Sequence, residues 1–264
     1  MNRGSAVSHR FARGLALCAG LALATLAPLG GARAADAIGV ARVPAAAAPG
    51  AKVRTPARIE VLAGRDAAGP KGELVAVEDP ARASALVASG ELRGWLGVVP
   101  EDAALGEGVR SAPLDYPVSP MAILRTDTDI HDWRALSGRT VCLAADGRYV
   151  GELAARYGAI EQVYPSTTDA LLGVRTGLCD AMVHDQAFLE ALLVFPEWKK
   201  FSARLEPYRK AGLARVTAAG QARPEALRGL LEATSPKHLA ALTAGQARDI
   251  AFEVYLDQVV PDCH

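Results

Sequence analysis

Between Leu136 and Asp185 the spacing of apolar positions alternates between a period of two and a period near 3.6. Arg139 to Ala144 is a short β-branched run closed by Asp146-Gly147, which reads as a strand ending in a turn. Val150, Leu153, Ala154 and Tyr157 then recur at helical spacing, and Gly158 supplies a C-terminal stop. Ile160 to Tyr164 reads as a second strand. Ser166 or Thr167 can cap the next helix, whose Ala170, Leu171 and Val174 share a face before Gly177 ends it. Cys179 to Val183 is a third strand, closing on His184-Asp185. Strand, helix, strand, helix, strand in strict alternation builds a parallel sheet.

The pattern is weaker on either side. Ile38–Val43, Ile59–Leu62, Leu74–Val77 and Gly94–Val99 are expected as short strands, with a turn region over Gly64–Gly72 and a helix over Pro80–Ala88. Met121–Arg125 is a further strand. From Pro224 the chain is expected to be helical: Leu227, Leu230 and Leu231 share a face, Pro236 interrupts, and a second run spans Gly245–Leu256 before Pro261. No internal repeat is present. These elements predict an α/β fold.

An open parallel sheet binds ligands outside the carboxyl ends of its strands. That rule puts Asp146–Tyr149 and His184-Asp185 on one rim. A helix starting near Arg148 would offer free N–H groups to an anion, and Asp185 would offer a carboxylate to a cation. Together they suit something small and zwitterionic.

The stretch ILRTDTDIHDWRALSGRTVCLAADGRYVGEL followed by YPSTTDALLGVRTGLCDAMVHD resembles the second lobe of the family 3 extracellular solute-binding proteins, the periplasmic receptors of polar amino-acid ABC transporters. The resemblance covers roughly Ser119 to Thr217. It implies a two-lobe, type II periplasmic-binding-protein-like fold, each lobe a small, mostly parallel sheet with flanking helices, the first lobe reduced. The chain would cross between lobes near Asp115–Ser119 and return near Arg209–Val216. The second lobe is then 117–212, and the first is discontinuous, 36–116 plus 213–264. The Arg139 strand should lie between the Ile160 and Cys179 strands.

By the same resemblance, Asp185 matches the aspartate that holds a ligand ammonium group; helix capping is the competing role. Gly147, Arg148 and Tyr149 occupy the glycine-threonine-threonine turn that binds a ligand carboxylate. A guanidinium and a phenol replace the hydroxyls there, and Arg148 can grip a carboxylate bidentately. The first-lobe arginine of the family should fall near Ala104, where this chain has none; Arg110 is the nearest substitute. Ser111-Ala112-Pro113 keeps the Ser-x-Pro step without its surrounding aromatics.

Export fits the N-terminus. Arg3, Arg10 and Arg13 precede an apolar stretch, Gly14 to Leu29, and Ala32-Arg33-Ala34 satisfies the small-x-small rule, so residues 1–34 are expected to be a signal peptide. Cys18 follows Leu17 and does not suit a lipoprotein anchor. Removing those residues takes away four arginines and no acid, leaving 25 basic residues against 29 acidic ones, net −4. That balance gives no reason to expect nucleic acid or an anionic membrane as partner. No later stretch is apolar enough to span a bilayer, so a soluble periplasmic protein, monomeric, is expected. Cys142 and Cys179 sit on strands expected to be neighbours, so a disulfide is plausible; two buried free thiols are the alternative. Cys263 is left over.

His131, His184 and His238 show no metal-ligand spacing, so neither metal nor cofactor is expected. Trp133, Trp198 and Phe201 read as packing aromatics. The leading expectation is a non-enzymatic receptor that closes by a hinge on an amino acid or related organic anion and then engages a membrane permease or sensor. The alternative is a non-transport accessory protein of the same fold that has lost the clamp, as in companions of periplasmic quinoprotein dehydrogenases. An enzyme of dehydratase type, using Asp185 and His184, is a third.

Overall fold

The computed structural model describes residues 37–44, 49–100, 103–220 and 224–258. The expected signal peptide and Cys263 lie outside them. Two five-stranded sheets are present. The first contains β1 (Ile38–Val40), β2 (Leu74–Ala76), β3 (Gly94–Val98), β4 (Val109–Pro117) and β10 (Gly212–Ala218), in the order β2-β1-β3-β10-β4. The second contains β5 (Pro120–Leu124), β6 (Thr140–Ala144), β7 (Ile160–Tyr164), β8 (Ala181–Asp185) and β9 (Ala203–Leu205), in the order β7-β6-β8-β5-β9. Each sheet carries one reversed strand, β10 or β5, and that strand is the one arriving from the other sheet. The two-lobe, type II binding-protein-like architecture is therefore what the chain adopts. β6 lies between β7 and β8, the order expected for the second lobe.

Period-two burial explains the second sheet. Met121 and Ile123 on β5, Cys142 on β6 and Met182 on β8 face one core, while Ala122, Leu124, Val141, Leu143 and Val183 face another. A sheet apolar on both faces must be covered on both. α4 (Thr167–Arg175) and α5 (Gln186–Leu192) cover the first of these faces. Trp198 and Phe201 are buried there too, as packing aromatics. Sγ of Cys142 on β6 is bonded to Sγ of Cys179, which lies just ahead of β8 and not on the strand expected from Cys179 to Val183, closing 37 residues.

The first lobe departs from the sequence reading at Ile59–Leu62, which is helix and not strand. α1 (Ile59–Ala68) buries Ile59, Ala63 and Ala67, four residues apart, over β1. Alanine makes that stripe too faint to stand out as periodicity. Gly64, assigned to a turn, lies inside α1: a Cβ there would meet Leu74 Cδ2 at 2.9 Å and Val40 Cγ1 at 3.1 Å. β4 and β9 gave no usable signal in the sequence. α2 (Pro80–Ala88) begins as expected, with Asp79 accepting hydrogen bonds from the N–H groups of Ala81 and Arg82 at 3.1 and 3.2 Å.

The tail holds α6 (Pro224–Ala233) and α7 (Pro236–Asp257). The two helical segments expected are both present, but the second, α7, starts at Pro236 and runs 22 residues, not from Gly245. Leu239 packs into the core around Ile38 and Leu96, whereas Ala247, Ile250, Ala251 and Val254 pack into the core around Met121 and Met182. One helix thus serves both lobes. Among the described residues no helix is long and apolar enough to cross a membrane.

Candidate functional site

The tips of β6 and β8 meet the start of α1 where the lobes face each other. After β6 the chain turns tightly: the Gly147 N–H donates to the Ala144 carbonyl at 2.9 Å, and a Cβ on Gly147 would approach that same oxygen to 2.9 Å. The turn is therefore built for glycine, and it aims Asp146 and Arg148 at the opposite lobe, while Tyr149 packs back into its own.

Arg148 lies between the carboxylates of Asp185 and Glu60. Its Nε donates to both carboxylate oxygens of Asp185, at 3.1 and 3.2 Å. Its Nη2 donates to Oε2 of Glu60 on α1, in the other lobe. Glu60 is 0 % exposed, Asp185 1 %, and the Arg148 side chain 9 %. Burial alone would lower the Arg148 pKa, but Asp185 and Glu60 reverse that and raise it. Burial likewise works against the Asp185 charge, yet Arg148, with a hydrogen bond from Tyr149, holds the carboxyl below its ordinary value. The Tyr149 hydroxyl lies 2.7 Å from Asp185 Oδ1 and 2.6 Å from the Val118 carbonyl, so one proton faces two acceptors. Burial and the Asp185 charge push its pKa well up.

A second arginine closes the joint from the other side. Arg58, just ahead of α1, donates from Nε to the Asp146 carbonyl at 2.8 Å and from Nη2 to the Gly147 carbonyl at 2.7 Å. The Ala57 N–H donates to Asp146 Oδ2 at 3.1 Å. What remains beside Asp185 is a cavity of about 10 Å³ walled by Ala57, Arg58, Arg148, Tyr149, His184 and Asp185. That is room for about one water, against roughly 300–1,000 Å³ for ordinary small-molecule sites.

Four of the five residues singled out in the sequence, Gly147, Arg148, Tyr149 and Asp185, come together here. Arg110 does not: it is exposed on β4 opposite Thr217, at the far end of the strand from the crossing between lobes. No helix N-terminus opens at Arg148 either. α3 (Glu152–Tyr157) starts later, behind Gly151, and Glu161 on β7 already accepts from the N–H groups of Gly151 at 2.5 Å and of Leu153 and Ala154 at 2.9 Å. Asp185 makes no side-chain cap to α5; the Gln186 N–H goes instead to the Ser119 carbonyl at 2.9 Å.

His184 is buried and its Nδ1 accepts the Asp185 N–H at 2.8 Å. Nε2 is then the protonated nitrogen of a neutral ring, facing Thr167 Oγ1 at 3.4 Å, and burial lowers the His184 pKa accordingly. His131 is exposed, and His238 on α7 pairs with Asp66 at 2.8 Å. Among the described residues no group of three or more His, Cys, Asp or Glu is arranged to hold a metal.

Arg58, Glu60 and Val118 were not foreseen. The one sequence signal was the charged pair Arg58-x-Glu60 at the start of the Ile59–Leu62 run.

No family model and no curated protein matches the sequence. Among solved structures the chain is similar to the GluR0 ligand-binding core in complex with L-glutamate, with 16 % identity, 80 % of this chain and 97 % of that one covered, and a TM-score of 0.49. It is similar to YckB from Bacillus subtilis, with 20 % identity, 81 % and 91 % covered, and a TM-score of 0.48. It is also similar to the substrate-binding protein of an amino acid ABC transporter, with 13 % identity, 84 % and 99 % covered, and a TM-score of 0.40. These likenesses concern the path of the chain and carry no residue-by-residue correspondence.

Proposed function

We propose that the chain is an exported, periplasmic two-lobe protein that works closed, latched by its own Arg148, and serves as a non-transport accessory protein offering its closed form to a protein partner. The observation that carries this reading is the bridge from Glu60 through Arg148 to Asp185, with about 10 Å³ left beside it. An ammonium-headed ligand at Asp185 would have to expel a guanidinium that already has three carboxylate oxygens around it. Buried charge-assisted pairs of that kind cost about 3–5 kcal/mol to break from one side. A free amino acid must repay that before gaining any affinity.

The lobes in this reading are 36–116 with 213–264, and 117–212, with α7 shared between them. No step in it requires chemistry: Asp185 is held ionised against Arg148, and His184 is neutral and enclosed, so neither is free to move a proton. Calorimetric titration with the twenty amino acids tests it. No saturable heat is expected from any of them. Binding of one amino acid at micromolar Kd would overturn the latch and restore the transport receptor.

A further inference from the structure

A second cavity, of about 300 Å³, shares Arg58 and Arg148 with the first but is not bounded by Asp185. We propose that this cavity is a binding site for a small oxyanion, a carboxylate or phosphate on a short apolar body, held by the guanidinium groups of Arg58, Arg148 and Arg209.

The three arginines come from three separate segments: the lead-in to α1, the turn after β6, and the return crossing before β10. Each has a committed part and a spare part. Arg148 spends Nε and Nη2 on Asp185 and Glu60. Arg209 spends Nε and Nη2 on Glu152, at 3.1 and 3.0 Å. Arg58 spends Nε and Nη2 on backbone carbonyls. In all three, Nη1 makes no hydrogen bond to a described residue.

Arg58 is the least compensated of the three. Its nearest carboxylate oxygen, on Glu60, is 3.9 Å from Nη1, beyond hydrogen-bond reach. Burial and the neighbouring Arg148 charge both pull its pKa down, which an added anion would relieve. The carboxylate at the rim, Glu78, is already bound by Arg42 at 2.7 Å and does not claim these donors.

The rest of the wall is apolar and fixed. Trp95, fully buried and anchored by an Nε1–H bond to the Val77 carbonyl at 2.9 Å, lies behind this wall together with Val98 and Val118. Guanidinium forks recognise planar oxyanions bidentately, and the volume is at the lower end for a small molecule. The same three cations repel an ammonium group, so the site selects simple anions over zwitterionic amino acids. Occupation would also tie both lobes and the crossing segment together, adding to the latch by mass action.

The test is calorimetric titration of the full chain with benzoate, succinate and inorganic phosphate, with chloride at matched ionic strength and alanine as references. Saturable one-to-one binding of at least one oxyanion, with none of chloride or alanine, is expected. Benzoate or succinate alone would mark the ligand as a carboxylate, and phosphate alone as a phosphate. Ala41→Glu, which sets a carboxylate in the cavity wall, should abolish binding. Arg209→Gln, removing one charged donor, should weaken it about tenfold or more. No saturable binding of any oxyanion up to about 20 mM, far above a 1 mM Kd of about −4 kcal/mol, would overturn the proposal. So would equal binding by both variants and the wild type. The latch is read separately, from the solution scattering of the wild type, so either idea can fail without the other.

Discussion

At Arg148 one side chain does what a ligand and two hinged halves would otherwise do together. Replacing it with alanine strands Asp185 as a buried carboxylate without its cation and leaves Glu60 only the more distant Arg58, which costs about 3–5 kcal/mol. Thermal unfolding of Arg148→Ala at neutral pH should show that loss. The pH dependence has a definite sign. In the wild type the folded pKa of Asp185 lies below its ordinary 3.8, so the group stabilises above that range, and the gain is lost as pH falls through the folded value. In Arg148→Ala, burial without a partner raises the Asp185 pKa above the unfolded value, so that carboxylate destabilises at pH 7 and protonation relieves it. The difference in Tm between the two proteins should therefore shrink from pH 7 to pH 4. A constant difference would mean that Asp185 is not the charge Arg148 serves. Gly147, Arg148, Tyr149 and Asp185 were legible as a single rim because strand ends converge. Their use was not legible. The partner Glu60 is 88 positions from Arg148, and no local pattern tells a ligand-facing arginine from one that closes on its own carboxylates.

Among the elements, those with strong periodicity were readable and those built on small residues were not. β6 follows from its β-branched run, β7 and β8 from their place between helical segments, and α4 from its serine cap: Ser166 Oγ accepts the Asp169 N–H at 3.2 Å. α1 escaped because its buried stripe leans on Ala63, Gly64 and Ala67. The opening for an anion expected near Arg148 is a helix start that Glu161 has already filled from within the chain. Two predictions belong here. The double change Cys142→Ala with Cys179→Ala, opening a 37-residue loop, should cost about 3–4 kcal/mol in denaturant unfolding. Ile250→Ala on α7 should cost about 2–5 kcal/mol, and because α7 enters both cores the variant should still unfold in one transition. Separate transitions for the two lobes would show that α7 does not couple them.

For the whole molecule, the crossings and the tail set how far the lobes can part. The two crossing segments bond to each other: the Val118 N–H donates to the Ala211 carbonyl at 3.0 Å, and the Ala211 N–H to Ser119 Oγ at 3.1 Å. α7 adds a third tie, with the Gln246 amide donating to the carbonyls of Pro56 and Ala57 at 2.7 and 3.1 Å. Glu253 joins Thr55, at 2.7 Å through its hydroxyl, to Thr168 on the second lobe. A hinge motion must break the Glu253–Thr168 link and the Arg148 bridge together, whereas a transport receptor is expected to open and close readily around its ligand. Small-angle X-ray scattering of the wild-type protein, alone and with each amino acid in turn, tests this most directly. The latch predicts a closed-form profile that no amino acid changes, and an expanded profile for Arg148→Ala. A wild-type protein that scatters as an open form and contracts when an amino acid is added would contradict it.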